Sequence, residues 1–174
     1  VCPGADHDRR YFRTRTSPIR PDEIAALGMV VLTYDPSGRG DSWGPEDFGG
    51  LEHQDNAAQG VQFLREQSDV VAEQVGLLGI SLGISSAMGG ARMLAEMNQP
   101  VNWVIDWEGP CDQRTITANQ TNDRIFVNIE IYILNGLHIT KGFLDILEAK
   151  KGFHFRPTQD ARPLSTAKSN PGCF

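Results

Sequence analysis

Long apolar runs are missing from this sequence, and basic residues are in the minority. No run approaches the ~20 apolar residues that a membrane-spanning helix needs. Lys and Arg number 16 against 22 Asp and Glu, which gives a net charge of −6 and argues against non-specific binding to nucleic acid or to anionic membranes. We therefore expect neither a nucleic-acid partner nor a membrane partner. The 40% hydrophobic and 22% charged residues fit one globular domain with a core.

Cysteine is also scarce. The sequence has three cysteines, Cys2, Cys111 and Cys173, and this odd number at wide spacings does not suit a disulfide framework. The opening residues VCPGADHDRR carry charge almost at once, unlike a secretory signal. These features favour reduced thiols and predict a cytoplasmic protein.

The first two-thirds of the chain alternates between apolar runs and helical patterns. Short, nearly continuous apolar runs predict buried strands at 29–34, 75–80 and 101–106. Helix start and stop signals predict a helix at 21–28, apolar spacing predicts one at 51–67, and richness in Ala and Met predicts one at 85–97. Strands that alternate with helices in this way indicate a parallel sheet covered on both faces, an α/β fold.

The last third loses this rhythm. Residues 125–134 alternate weakly and predict a strand, and residues 137–151 fit an amphipathic helix. Residues 152–174 contain three prolines and many polar residues without a period, which predicts an irregular tail.

A serine between two glycines follows the apolar run 75–80. Gly79-Ile80-Ser81-Leu82-Gly83 matches the pattern G-x-S-x-G between a predicted strand and a predicted helix. Such a turn exposes the serine hydroxyl at the carboxyl edge of the sheet, where open α/β sheets bind ligands. The Leu82 N–H would lie at the helix N-terminus, aimed at a developing oxyanion. A glycine-rich turn that binds nothing, or one that binds phosphate, is the weaker interpretation. No G-x-x-x-x-G-K-[ST] motif is present, and no acidic residue follows at the distance of a dinucleotide-binding fold.

With these motifs, residues 1–112 resemble the α/β-hydrolase superfamily, in the branch of dienelactone hydrolases and prolyl-oligopeptidase-like esterases. VCPGAD at 1–6 is similar to the strand and loop that supply the second oxyanion donor in that family. VVLTYDPSGRGDSWG is similar to the family's strand and loop that end in D-x-R-G-x-G-x-S. VIDWEGPCD is similar to the next strand after the serine and its exit loop. The resemblance implies a mostly parallel, doubly wound sheet that is incomplete at both ends. Residues 113–174 would form a divergent, cap-like or irregular segment.

The resemblance also implies roles for individual residues. Ser81 would be the nucleophile, the N–H groups of Leu82 and Ala5 would form the oxyanion hole, and a histidine after the serine would be the base. His154, in a loop-like context, is chosen over His138, which fits a half-buried helix position; His7 would break the family order. The triad acid stays open among Asp106, Glu108, Asp145 and Asp160, and Asp106 could instead shape its loop through backbone hydrogen bonds.

The predicted function is therefore a serine hydrolase, a carboxylic-ester hydrolase that acts on a small organic ester without a metal or cofactor. The alternative is a non-catalytic or truncated α/β-hydrolase-like domain that binds a ligand or a partner. A histidine nitrogen within hydrogen-bond reach of the Ser81 hydroxyl would distinguish the two.

Overall fold

The structure, a computed structural model, describes residues 1–107 and 109 and the backbone of residues 129–133. The predicted helix 137–151, the irregular tail and the domain boundary predicted at residue 112 lie outside these residues. The same holds for His138, His154, Glu108, Asp145 and Asp160.

A three-stranded sheet forms the centre of the described part. Strand β1, Leu77–Ile80, pairs in parallel with β2, Trp103–Trp107, and β2 pairs antiparallel with β3, Ile129–Ile133. On the other side of β1, Cys2 forms a parallel bridge with Gly79. Strand β1 therefore has a neighbour on each side, and its four residues are all buried.

Within the residues that the structure describes, three α-helices and two short 3₁₀ helices accompany the sheet. Helix α1 spans Pro21–Ala25, α2 spans Leu51–Arg65 and α3 spans Gly83–Glu96. The 3₁₀ helices span Arg9–Arg13 and Ala72–Gln74. None of the helices in the described part has both the length and the apolar character needed to cross a bilayer.

Two apolar clusters lie on opposite faces of the sheet, because successive strand side chains point to opposite faces. One cluster joins Leu77 and Val104 to the buried small residues of α2 and α3. The other joins Leu78, Ile80 and Ile105 to residues from the 3₁₀ helix Arg9–Arg13, α1 and the chain between them, namely Phe12, Ile19 and Ile24. Both faces of β1 and β2 are thus covered.

Helices α2 and α3 approach closely because their contact consists of small side chains. Ala57, Ala58, Ala87 and Ala91 are at most 3% exposed. A Cβ added at Gly90 would lie 2.9 Å from the Ala57 Cβ. Close packing at these positions compensates for the weak helix propensity of glycine in α3.

The prediction of a strand at 29–34 is wrong. These residues have no strand assignment, and Val30 is 51% exposed. A strand needs a ladder of backbone hydrogen bonds. Within the described part of the chain, residues 29–34 receive a single bond from a neighbouring segment, from the Val1 ammonium to the Leu32 carbonyl at 2.8 Å. The β-branched composition therefore produced an apolar segment without regular pairing.

The other predicted elements of the first two-thirds are confirmed with shifted ends. The apolar face of α2 differs in one respect, because Leu51 is 67% exposed while Ala58 and Val61 are buried. Leu51 is the first residue of the helix, and its side chain does not belong to the buried face.

Candidate functional site

Ser81 lies in a sharp turn between β1 and α3. Its φ is 51°, in the left-handed region that costs a non-glycine residue roughly 1–2 kcal/mol. The Ser81 N–H donates to the Trp107 carbonyl at 2.8 Å, and the Ser81 carbonyl accepts from the Ile84 N–H at 3.1 Å. Ser81 is exposed. A strained backbone held by bonds on both sides presents this hydroxyl outward.

The two glycines around Ser81 are required by space. A Cβ at Gly79 would lie 2.6 Å from the Ile84 nitrogen, and a Cβ at Gly83 would lie 2.5 Å from the Pro3 carbonyl oxygen. In both cases the obstacle is backbone, which cannot rotate away. Neither glycine has a positive φ, so close approach of the chain, rather than conformational freedom, explains the G-x-S-x-G spacing here.

The loop after Cys2 passes directly beside Ser81. A Cβ at Gly4 would lie 3.1 Å from the Ile80 carbonyl oxygen and 3.2 Å from the Ser81 Cβ. Ala5 follows in this loop, and Leu82 immediately precedes the first residue of α3. Among the described residues, no acceptor is hydrogen-bonded to the N–H of Ala5 or of Leu82. The role of these two N–H groups as oxyanion donors stays a prediction.

A buried arginine supports the same loop. The Arg39 side chain is 7% exposed and donates to the Gly4 carbonyl at 2.5 Å. It also donates to both carboxylate oxygens of Glu46, at 2.5 Å and 2.8 Å. These bonds hold the pKa of Glu46 below its usual value.

Asp35 organises the turn that carries Arg39. Its side chain is buried and accepts from the backbone N–H of Arg9 at 2.7 Å and of Asp41 at 3.0 Å, and it also pairs with the Arg9 guanidinium. The Ser42 hydroxyl closes the turn by donating to the Asp35 carbonyl at 2.8 Å.

His7 is brought near Ser81 across Gly4. The Cβ position at Gly4 lies 3.6 Å from the His7 Nδ1 and 3.2 Å from the Ser81 Cβ. The distance between the His7 Nδ1 and the Ser81 Cβ therefore cannot exceed the sum of these two distances. The His7 ring is exposed and stacks on Tyr11, with 3.9 Å between ring centroids. It is not hydrogen-bonded to Ser81.

His53 has a structural role. It is 1% exposed, its Nε2 lies 2.8 Å from the Ser37 carbonyl oxygen, and its Nδ1 accepts from the Gly49 N–H at 3.1 Å. Both ring nitrogens are therefore held by backbone groups, and neither is free to act on Ser81. Within residues 1–107, no histidine is hydrogen-bonded to the Ser81 hydroxyl.

Asp106 lies on the strand next to β1, in register with Gly79. It is 6% exposed, and its Oδ1 accepts from the Gly109 N–H at 2.8 Å. This contact is the loop-shaping role that the sequence analysis weighed for Asp106. The other three candidate acids and the histidines His138 and His154 lie outside the described residues.

The sequence analysis missed Arg39 and Glu46. Arg39 lies in the loop that resembles D-x-R-G-x-G-x-S, where Asp35, Gly38, Gly40 and Ser42 fit the pattern and Ser37 stands at an ordinarily variable place. An arginine followed seven residues later by a glutamate carries no recognisable spacing. Within the described part of the chain, no group of three or more His, Cys, Asp or Glu side chains could hold a metal ion.

Ser81, the two glycines around it and the loop at Gly4 define the candidate site from this chain alone. No protein-family model, curated protein or solved structure matches the chain.

Proposed function

We propose that this protein is a serine hydrolase of the α/β-hydrolase type that cleaves a small carboxylic ester. One observation carries the proposal: Ser81 is exposed at the end of β1 with a φ of 51°, directly before α3. Strained backbone conformations cluster at functional sites. Asp6, Phe48 and Asn98 also have a positive φ, so the position of Ser81 between a strand and a helix gives its strain this meaning. A strand, a strained serine and a helix are together the mechanical requirement of the G-x-S-x-G nucleophile.

In the proposed mechanism the Ser81 Oγ attacks the ester carbonyl carbon while a histidine takes its proton. The N–H groups of Leu82 and Ala5 stabilise the negative charge on the carbonyl oxygen. The bond to the alcohol then breaks, and the histidine returns the proton to the leaving oxygen. Water, activated by the same histidine, releases the acid from Ser81. These steps need no metal and no organic cofactor.

The base in this proposal is His154, which follows the serine as the family order requires. His7 is the second candidate, because it lies beside Ser81 across Gly4. The acid is one of Asp106, Glu108, Asp145 and Asp160, and its task is to orient the histidine. We further propose that the protein acts in the cytoplasm, which suits the buried free thiol of Cys2.

Labelling with a fluorophosphonate probe tests the proposal, because an unassisted serine reacts poorly and labelling therefore reports a working base and oxyanion hole. Peptide mapping should find the probe on Ser81. Ser81→Ala should abolish both the labelling and the hydrolysis of p-nitrophenyl acetate. Ser68→Ala, at an exposed serine outside the turn, is the matched control and should label normally. Absence of labelling in the unsubstituted protein would favour the non-catalytic binding domain.

A further inference from the structure

We infer that Arg39 is a positioning residue for the oxyanion hole, which it serves by fixing the direction of the Ala5 N–H. The inference rests on the proposed function, since it assigns a task within the same site. Arg39 does not contact Ser81 and is not proposed to touch the substrate. It acts through the Gly4 carbonyl, to which its Nη1 donates at 2.5 Å.

The guanidinium is itself held firmly. Glu46 accepts from the Arg39 Nε and Nη2, one bond to each carboxylate oxygen. A bidentate pair of this kind fixes the plane of the guanidinium as well as its position. A buried guanidinium left without its partners would be an uncompensated charge, which is strongly destabilising, so Nη1 has a defined place against Gly4.

The peptide group between Gly4 and Ala5 links the Arg39 contact to the direction of the Ala5 N–H. Its C=O and N–H belong to one planar unit, and in a trans peptide they point in opposite directions. The described chain contains no cis peptide. When the Gly4 oxygen is held on Arg39, the Ala5 N–H must therefore point away from Arg39. Gly4 itself lies against Ser81, with the Cβ position 3.2 Å from the Ser81 Cβ.

Two more bonds close the loop around the guanidinium. The His7 N–H donates to the Gly4 carbonyl at 3.4 Å, and Arg39 Nη1 also reaches the His7 carbonyl at 3.5 Å. Because Gly4 has no side chain to restrict it, its peptide would rotate easily without these anchors. An oxyanion donor stabilises a transition state only if its direction is set before the reaction. Arg39 fixes the direction of the Ala5 N–H without itself contacting Ser81.

The test compares Arg39→Lys with Arg9→Lys in the full chain. Arg9 is the matched control, because it forms ion pairs with Asp35 and Asp41 in the same loop but does not bond to Gly4. We expect Arg39→Lys to lower kcat for p-nitrophenyl acetate by about tenfold or more, toward the 10²–10³-fold cost of losing one oxyanion donor. KM should change little, and the affinity for a trifluoromethyl ketone, which forms an oxyanion on Ser81, should fall in parallel with kcat. Arg9→Lys should leave all three close to wild type.

Chemical rescue separates positioning from general damage to the fold. Added guanidinium should restore part of the kcat of Arg39→Ala, and it should not raise the kcat of the unsubstituted protein. Amide hydrogen exchange at His7, whose N–H donates to the Gly4 carbonyl, should be faster in Arg39→Lys than in Arg9→Lys. Wild-type labelling and turnover combined with an unchanged kcat in Arg39→Lys would overturn this role alone. A protein that neither labels nor turns over before substitution would overturn the proposed function, and the role of Arg39 with it.

Discussion

Gly83→Ala is expected to destabilise the protein, although alanine is the better helix former. Gly83 is the first residue of α3, and a Cβ there would lie 2.5 Å from the Pro3 carbonyl oxygen and 2.9 Å from the Cys2 carbonyl carbon. Both atoms belong to backbone, and Cys2 is hydrogen-bonded to β1 through Leu78 and Ile80. The new methyl group must therefore push apart the Cys2 segment and the start of α3.

The size of the effect follows from overpacking. Forcing one extra carbon into a filled region costs typically 1–3 kcal/mol, and the gain in helix propensity is at most about 1 kcal/mol. We expect a net loss on the order of 1–2 kcal/mol in the free energy of unfolding. Gly60→Ala is the matched control, because Gly60 lies inside α2 and a Cβ there would be 3.4 Å from a Leu32 methyl carbon. That substitution should stabilise by roughly 0.5–1 kcal/mol.

Thermal unfolding of the three proteins measures the difference. For a chain of this length each kcal/mol shifts Tm by about 2–4 °C, so the two variants should move in opposite directions from wild type. Fluorophosphonate labelling of Gly83→Ala should also slow, because the displaced backbone carries Ser81 and Leu82. A Gly83→Ala protein at least as stable as wild type, beside a normally stabilised Gly60→Ala, would refute the steric explanation of this glycine.

Three further predictions concern other parts of the site. Glu46→Gln should lower the free energy of unfolding at neutral pH by about 1.5–3 kcal/mol, the worth of hydrogen bonds to a charged group. Because Arg39 lowers the folded-state pKa of Glu46, this advantage of the wild type is present above the unfolded-state pKa of about 4.3 and is lost as the pH falls through the folded value. Urea titrations whose difference does not shrink as the pH falls below the unfolded-state pKa would contradict the pairing. Ser81→Gly should raise Tm slightly while it abolishes labelling, since glycine adopts the left-handed region without the cost of a Cβ; a clear loss of stability would show that Ser81 is not strained. His154→Gln should slow labelling by about 10²-fold or more, as expected for loss of a general base, and His7→Gln should change it only a few-fold; the reverse result would make His7 the base.

The predictable parts of this structure are those with a strong local pattern. The continuous apolar run 75–80 predicted β1, because a strand buried on both faces has no polar alternation. The Ala and Met content of 85–97 predicted α3, because these residues favour helices. The position of Ser81 between them could be predicted for the same reason. Its left-handed φ follows from the sharp turn that joins the two elements.

The unpredicted parts depend on contacts between distant segments. Residues 29–34 have the composition of a strand, yet pairing requires a partner that composition cannot supply. Likewise, the hydrogen bond from Arg39 to Gly4 joins two loops that are far apart in sequence, and the residues of one loop do not indicate a contact with the other. The need for glycine at position 83 could not be predicted either, because a side chain there would collide with the carbonyl oxygen of Pro3, which is distant in sequence.

The bridge between Cys2 and Gly79 has a consequence for the order of folding. The turn at Ser81 is enclosed by the Cys2 segment on one side and by Trp107 on the other, so its geometry depends on contacts of high sequence separation. Contacts of this kind form late, because the entropy of closing a long loop must be lost first. During synthesis the ribosome must release the whole stretch through Trp107 before the serine can take its strained conformation. Nascent chains shorter than this should carry an unreactive Ser81.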